Sequence, residues 1–282
     1  LFYKLHYNNA RELMSEITVF TPYVDETTTQ NLVNDLRKSG CVRKVFLLHD
    51  KTVQPSINGS ESLQINRIES TDSIKKVAEK TTTEFALFIS KAAKIDLGER
   101  ALERFLIIAE DTGAGLLYSD YSEVNEGNYN PHPTIDYQTG SIRDDFDFGP
   151  LLFINARALK NSAVSIKEEY KFAGLYDLRL NISRNYPILR IPENLYTISE
   201  TDIRSSGEKQ FDYVNPNNRD VQIEMERAAT EHLKKVNAFL KPDFSEIDLS
   251  ERDFEYEASV IIPVKNRVKT IGGALESALN QK

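Results

Sequence analysis

Short apolar, β-rich runs alternate with stretches of helical spacing from residue 17 to about 190, and this rhythm constrains the fold more than any other feature of the chain. Ile17–Phe20 is the first such run, and Thr21-Pro22 closes it. Thr27–Ser39 then places Leu32, Val33 and Leu36 on one helical face, with Gly40 as the stop. Strands are expected at Val45–Leu48, Leu63–Ile68, Phe85–Ile89 and Leu116–Ser119. Helices are expected at Thr71–Lys80 and, behind an Asp96-Leu97-Gly98-Glu99 capping box, at Leu97–Glu110. Runs that are apolar throughout, rather than alternating, suit strands buried on both faces. The expectation is therefore an α/β chain with a mixed, mostly parallel sheet and helices on both faces. In such sheets ligands bind beyond the carboxyl ends of strands. That points to Pro22–Asp25, His49–Lys51, Ser90–Ala92 and Asp120.

The second half is less regular. Tyr121–Gly149 has little periodicity and reads as a long functional loop, ordered by Tyr129, Tyr137, Phe146 and Phe148. A strand at Leu151–Ile154, a helix at Leu175–Ser183 and a last strand at Ile188–Ile191, ended by Pro192, follow. Arg219–Leu240 is a charged amphipathic helix, and Asp243–Glu257 carries seven acids against Arg252, as a linker would. The start of the chain then echoes itself: Glu16-Ile-Thr-Val-Phe-Thr-Pro22 is matched by Glu257-Ala-Ser-Val-Ile-Ile-Pro263, 241 residues further on. The chain opens on Leu1 and stops at Lys282 within an apparent helix, which leads us to expect the amino-terminal part of a tandem protein.

Composition narrows the function classes. Acids outnumber bases by 43 to 35, a net charge of −8, whereas nucleic-acid binders are more often basic. No apolar run is long enough to span a bilayer. Cys41 is the only cysteine and there are four scattered histidines, so neither a disulfide framework nor a Cys- or His-based zinc site is expected. These features suit a soluble protein of a reducing compartment, the cytoplasm. A dinucleotide oxidoreductase lacks support, because no Gly-x-Gly-x-x-Gly follows the first strand.

Ala258-Ser-Val-Ile-Ile-Pro-Val-Lys-Asn-Arg-Val-Lys-Thr-Ile271 and Ala274-Leu-Glu-Ser-Ala-Leu-Asn-Gln281 resemble the opening strand and helix of family 2 glycosyltransferases. The stretch from Ile17 to Tyr196 resembles a divergent complete domain of the same GT-A, Rossmann-like fold. The patches that carry this are the strand ends Thr21-Pro22-Tyr23-Val24-Asp25-Glu26 and His49-Asp50, the segment Phe85–Leu106, and the pair Gly174–Ser183 and Ile191–Tyr196. The resemblance implies a leader (1–16), a glycosyltransferase-like domain (17–200), a loop and helix (201–240), an acidic linker (241–256) and the start of a second, truncated glycosyltransferase domain (257–282).

The resemblance also implies roles. The family transfers a sugar, with inversion, from a nucleotide-diphosphate donor to a hydroxyl acceptor. Pro22, Asp25 and Asp50 match positions around the base and ribose; the alternative is that both aspartates are turn or cap residues. Mn²⁺ or Mg²⁺ is expected for the family, but its two spaced aspartates are replaced here by Ser90-Lys91-Ala92. Either Lys91 serves as a point charge on the diphosphate, or donor activation is lost. Asp96 reads as a helix cap rather than a displaced ligand. Asp177 matches the base that takes the acceptor proton; alternatively it only complements the dipole of its helix. Asp145, Phe146 and Asp147 fall in the acceptor region, as carboxylates and rings that hold a sugar or as an ordered structural loop. His132 reads as a loop residue, and Ser205–Lys209 as a flap over the donor or a surface turn.

Two functions follow as expectations. One is an enzyme that uses a nucleotide-diphosphate sugar and a glycan or other hydroxyl acceptor in polysaccharide biosynthesis, cytoplasmic or peripheral at the inner face of a membrane. The other is a degenerate, non-catalytic module that binds glycan or scaffolds an active second domain. Residues 257–282 cannot bury a core alone, so this segment is expected to dock on residues 1–240 or to exchange with another chain, making a homo-oligomer.

Overall fold

The computed structural model describes residues 15–52, 54–125, 127–199, 219–246 and 258–281. The chain divides into two units, Leu1–Phe239 and Leu240–Lys282. The first is built on a nine-stranded sheet: β1 (Ile17–Pro22), β2 (Val42–His49), β3 (Glu61–Gln64), β4 (Phe85–Ile89), β5 (Lys94–Leu97), β6 (Leu116–Asn125), β7 (Asn128–His132), β8 (Leu151–Asn155) and β9 (Ile188–Ser199). Its helices are α1 (Glu26–Lys38), α2 (Thr71–Lys80), α3 (Ala101–Thr112), α4 (Ala156–Ser165), α5 (Gly174–Ser183) and α6 (Arg219–Lys235).

The spatial order is β3-β2-β1-β4-β8-β6-β9-β5, with β7 paired to β6. β3, β2, β1 and β4 are mutually parallel, and β6 and β9 are parallel to each other. β8 is antiparallel to both β4 and β6, so it is reversed between two parallel sets. This is the mixed, mostly parallel α/β sheet that the sequence implies.

The apolar runs are explained by burial on two faces. Along β1, Ile17 and Val19 point into one core with Leu32, Val33 and Leu36 of α1 and Phe105 of α3. Phe20 points into the other, with Ile74 of α2, Leu159 of α4 and Leu178 of α5. β2 divides the same way, Val45 and Leu47 on the first face, Phe46 and Leu48 on the second. Phe20 stacks on Phe46 with centroids 5.3 Å apart. Each such large side chain, taken fully out of water, contributes about 1.5–3 kcal/mol.

Four elements differ from the expectations. Asp96 caps no helix: it is an exposed residue of β5, which pairs antiparallel with β9, and α3 starts at Ala101 behind Arg100 in the left-handed region (φ 60°). Period-2 alternation, with Ile95 buried between Lys94 and Asp96, outweighs the capping pattern. Gly98 fits here because a Cβ would meet Leu195 O at 2.9 Å. Secondly, β9 runs on past Pro192 to Ser199; Ser119 pairs with Ile191 and Asp120 with Asn194, so Pro192 falls in a bulge where no ladder N–H is needed. Thirdly, the long loop holds the strand β7, which extends a hairpin from β6. Lastly, in the second unit, residues 258–264 form no strand, whereas α7 (Val268–Leu279) does form and ends before Asn280. A strand needs a partner row of backbone groups to form.

Candidate functional site

The carboxyl ends of β2, β1 and β4 lie side by side. Pro22 is in register with Leu48, and Phe20 with Phe88. Pro22, Asp25, Asp50, Ser90 and Lys91 thus share one edge of the sheet. Asp25 caps α1: its Oδ1 accepts from Thr28 N at 2.8 Å. That bond, above all, holds its carboxyl below the ordinary carboxylate range. Asp50 closes a turn by accepting from Thr52 N at 2.8 Å.

Beside this edge lies a cavity of about 270 Å³. Ser90 and Lys91 line it at the end of β4, with Asp144, Phe146, Asp147 and Phe148 of the loop, Tyr176 and Arg179 of α5, and aliphatic side chains that include Leu152 and Leu178. Ser90 is tied to the loop, donating from N to Pro150 O at 2.9 Å and from Oγ to the same carbonyl at 3.3 Å.

The loop from residue 134 to 149 is anchored from two sides. Arg179, nearly fully buried, donates from Nη1 to Ser141 O and from Nη2 to Arg143 O, both at 2.6 Å. Its guanidinium lies 4.9 Å from the Tyr176 ring centroid and 5.9 Å from that of Phe148. Tyr176 Oη donates to Ile142 O at 2.5 Å, and burial pushes this phenol up to about 12. From the other side, Asp120 Oδ1 accepts from Thr134 N at 2.9 Å and Thr134 Oγ1 at 2.8 Å, while Arg190 Nη2 donates to Asp120 Oδ2 at 2.6 Å.

Of the three residues expected in an acceptor region, Phe146 and Asp147 line the cavity, whereas Asp145 is exposed and pairs with Arg143 at 2.5 Å. Asp147 has partners that the sequence does not announce. Its Oδ2 lies 2.7 Å from His132 Nε2, and its Oδ1 accepts from Gly149 N at 2.8 Å. His132, read above as a loop residue, ends β7 directly opposite Tyr121 and stacks on its ring at 4.4 Å. Gly127 between β6 and β7, with φ +81°, is the hairpin signal that leads to it.

Asp177 does not line the cavity. It is buried on the other side of α5, where its Oδ1 accepts from Asn181 Nδ2 at 2.9 Å. Burial raises its carboxyl pKa, against the opposing pull of Lys235 and Arg184. His232 of α6, also buried, is driven down to about 4 by burial and by Arg184, Arg179 and Lys235. α6 is further held by Glu224, whose carboxylate accepts from Lys171 N, Phe172 N and Ala173 N at 3.2, 2.7 and 3.2 Å.

The donor set after β4 does not fit Mn²⁺ or Mg²⁺. Ser90 and Ala92 offer no carboxylate and Lys91 brings a positive charge. Among the described residues, no three side chains of His, Cys, Asp and Glu converge to hold a metal. Ser205–Lys209 lies outside the described residues. No helix among the described residues is long and apolar enough to cross a membrane.

No family model matches the chain, and no curated protein matches it in sequence. Solved structures do. TarS 1–349 from S. aureus overlaps with a TM-score of 0.55 at 13% identity, over 80% of this chain and 67% of that one. Mannosyl-3-phosphoglycerate synthase from Rubrobacter xylanophilus overlaps with a TM-score of 0.51 at 10% identity, over 85% of this chain and 80% of that one. The chain has the GT-A, Rossmann-like fold of these structures.

Proposed function

We propose that this chain binds a nucleotide-diphosphate sugar along the carboxyl ends of β1, β2 and β4 and transfers the sugar, with inversion, to a hydroxyl acceptor such as a glycan. One observation carries the reading: a cavity beside that edge is lined by Lys91, by Asp144 and Asp147, and by aromatic and aliphatic side chains that include Phe146, Phe148 and Leu178. The cation suits a leaving diphosphate, and the carboxylates and rings suit the hydroxyls and faces of an acceptor sugar.

In this reading Pro22, Asp25 and Asp50 border the nucleoside, and Lys91 meets the diphosphate as a point charge. Asp177, buried against Asn181, holds α5 in place. The acceptor hydroxyl attacks the anomeric carbon from the loop side as the nucleoside diphosphate leaves. Mannosyl-3-phosphoglycerate synthase, by its name a mannosyl-transferring enzyme, shares the fold and so agrees with the reading.

A second reading has one observation in its favour. The Ser90-Lys91-Ala92 sequence offers no carboxylate for a cation, as expected of a non-catalytic module that binds glycan or scaffolds an active second domain. Titration with UDP- and GDP-linked hexoses, followed by thermal shift and by nucleoside diphosphate release, separates the two. Saturable stabilisation with release supports the enzyme; stabilisation without release, or none with any donor, contradicts it and favours the non-catalytic module.

A further inference from the structure

Among the residues that line the cavity, Asp147 has both carboxylate oxygens oriented by neighbours, and it is not the residue that the family resemblance gives as the base. Asp147 lines the cavity, whereas Asp177 does not. Oδ2 of Asp147 meets His132 Nε2 at 2.7 Å and Oδ1 accepts from Gly149 N at 2.8 Å. Each oxygen keeps a further lone pair for a proton.

His132 is itself held. Its Nδ1 lies 3.3 Å from Glu123 Oε1, and its ring stacks on Tyr121 at 4.4 Å, which stacks on Tyr196 at 5.2 Å. The turn carrying Asp147 sits directly on this ring stack. Gly149 has φ +67°, and a Cβ there would meet Tyr196 Oη at 2.3 Å and the Tyr121 ring at 3.0 Å. The β6–β7 hairpin, the ring stack and Gly149 therefore fix the carboxylate of one cavity-lining residue, Asp147. A general base needs such reach and orientation.

We propose that Asp147 is the base that receives the acceptor's hydroxyl proton, and that His132 is its positioning residue. The proposal rests on the glycosyl-transfer reading above. In the step, the acceptor O–H proton passes to a carboxylate oxygen of Asp147. The acceptor oxygen forms the new bond to the anomeric carbon. The bond from that carbon to the donor phosphate breaks, and its electron pair leaves on the nucleoside diphosphate.

The test uses the full chain, a panel of UDP- and GDP-linked hexoses, and water or free sugars as acceptors. Donor affinity is read by calorimetry and nucleoside diphosphate release as kcat and KM across pH. Asp147→Asn is expected to keep donor affinity within about twofold and to lower kcat by about 100-fold or more. His132→Gln is expected to lower kcat by about tenfold at unchanged KM. The proposal is overturned if Asp147→Asn retains wild-type kcat, if Asp177→Asn alone abolishes release in a folded, donor-binding protein, or if His132→Gln changes only thermal stability. Wild-type chain that binds donor without releasing nucleoside diphosphate also overturns it and leaves donor binding standing. Failure to bind any donor removes the underlying reading instead.

Discussion

Arg190 and Asp120 face each other from the adjacent parallel strands β9 and β6, with Nη2 and Oδ2 2.6 Å apart and both side chains less than a fifth exposed. The pair ties the bulged part of the sheet to the loop above it, because the same carboxylate holds Thr134. Burial pushes the Asp120 carboxyl up, but the bonds from Arg190 and Thr134 outweigh it and hold it below the ordinary 3.8. A depressed carboxyl stabilises the fold above its unfolded value, and that stability is lost as pH falls through the lower folded value. Asp120→Ala should therefore cost about 1.5–3 kcal/mol near neutral pH. In urea titrations the difference from wild type should shrink below about pH 4.

Gly174 starts α5 where a Cβ would meet Thr71 N at 2.3 Å and Ser70 C at 2.5 Å. The contact is with backbone, which cannot turn aside. Gly174→Ala should lower stability by about 1–3 kcal/mol, read from the denaturation midpoint. It should also disturb the bond from Leu175 N to Glu69 O, seen as faster exchange of that amide.

His232 stays neutral in the fold down to about pH 4, whereas an unfolded histidine binds its proton near 6.5. Between those values the unfolded chain holds more protons, so stability should fall as pH is lowered from about 6.5 to about 4. Asp177, whose carboxyl is raised, acts with the opposite sign. The difference between wild type and His232→Gln isolates the histidine: it should reach about one proton over this window and vanish above about pH 7.5.

Glu224 is the acceptor for three consecutive backbone N–H groups ahead of α5. Glu224→Ala leaves them without that partner and should cost about 1–3 kcal/mol. Accelerated exchange of the Phe172 and Ala173 amides would confirm the site of the loss; unchanged exchange would contradict it.

The parallel core was legible because β1, the Val45–Leu48 part of β2, and β4 are buried on both faces and read as short runs of mostly apolar residues. Where strands lie at an edge, that signal fades. β5 reads Lys-Ile-Asp-Leu and β7 reads Asn-Tyr-Asn-Pro-His, and neither has an apolar run to find. In the site, Lys91, Phe146 and Asp147 were singled out and do line one cavity. The His132–Asp147 contact was not legible, because it depends on the register of a hairpin against a loop. Nor was the orientation of Asp177, which a helical position alone leaves undetermined and which is set by packing between α5 and α6.

The most direct test of the central claim is amide chemical-shift mapping of the full chain titrated with UDP- and GDP-linked hexoses. Saturable shifts at Tyr23, Asp25, Asp50, Ser90 and Lys91, weakened about tenfold by Lys91→Ala, are the predicted result. Shifts confined to the distant α2–α4 groove at Lys75, Lys160 and Val164, or no shifts with any donor, would contradict it.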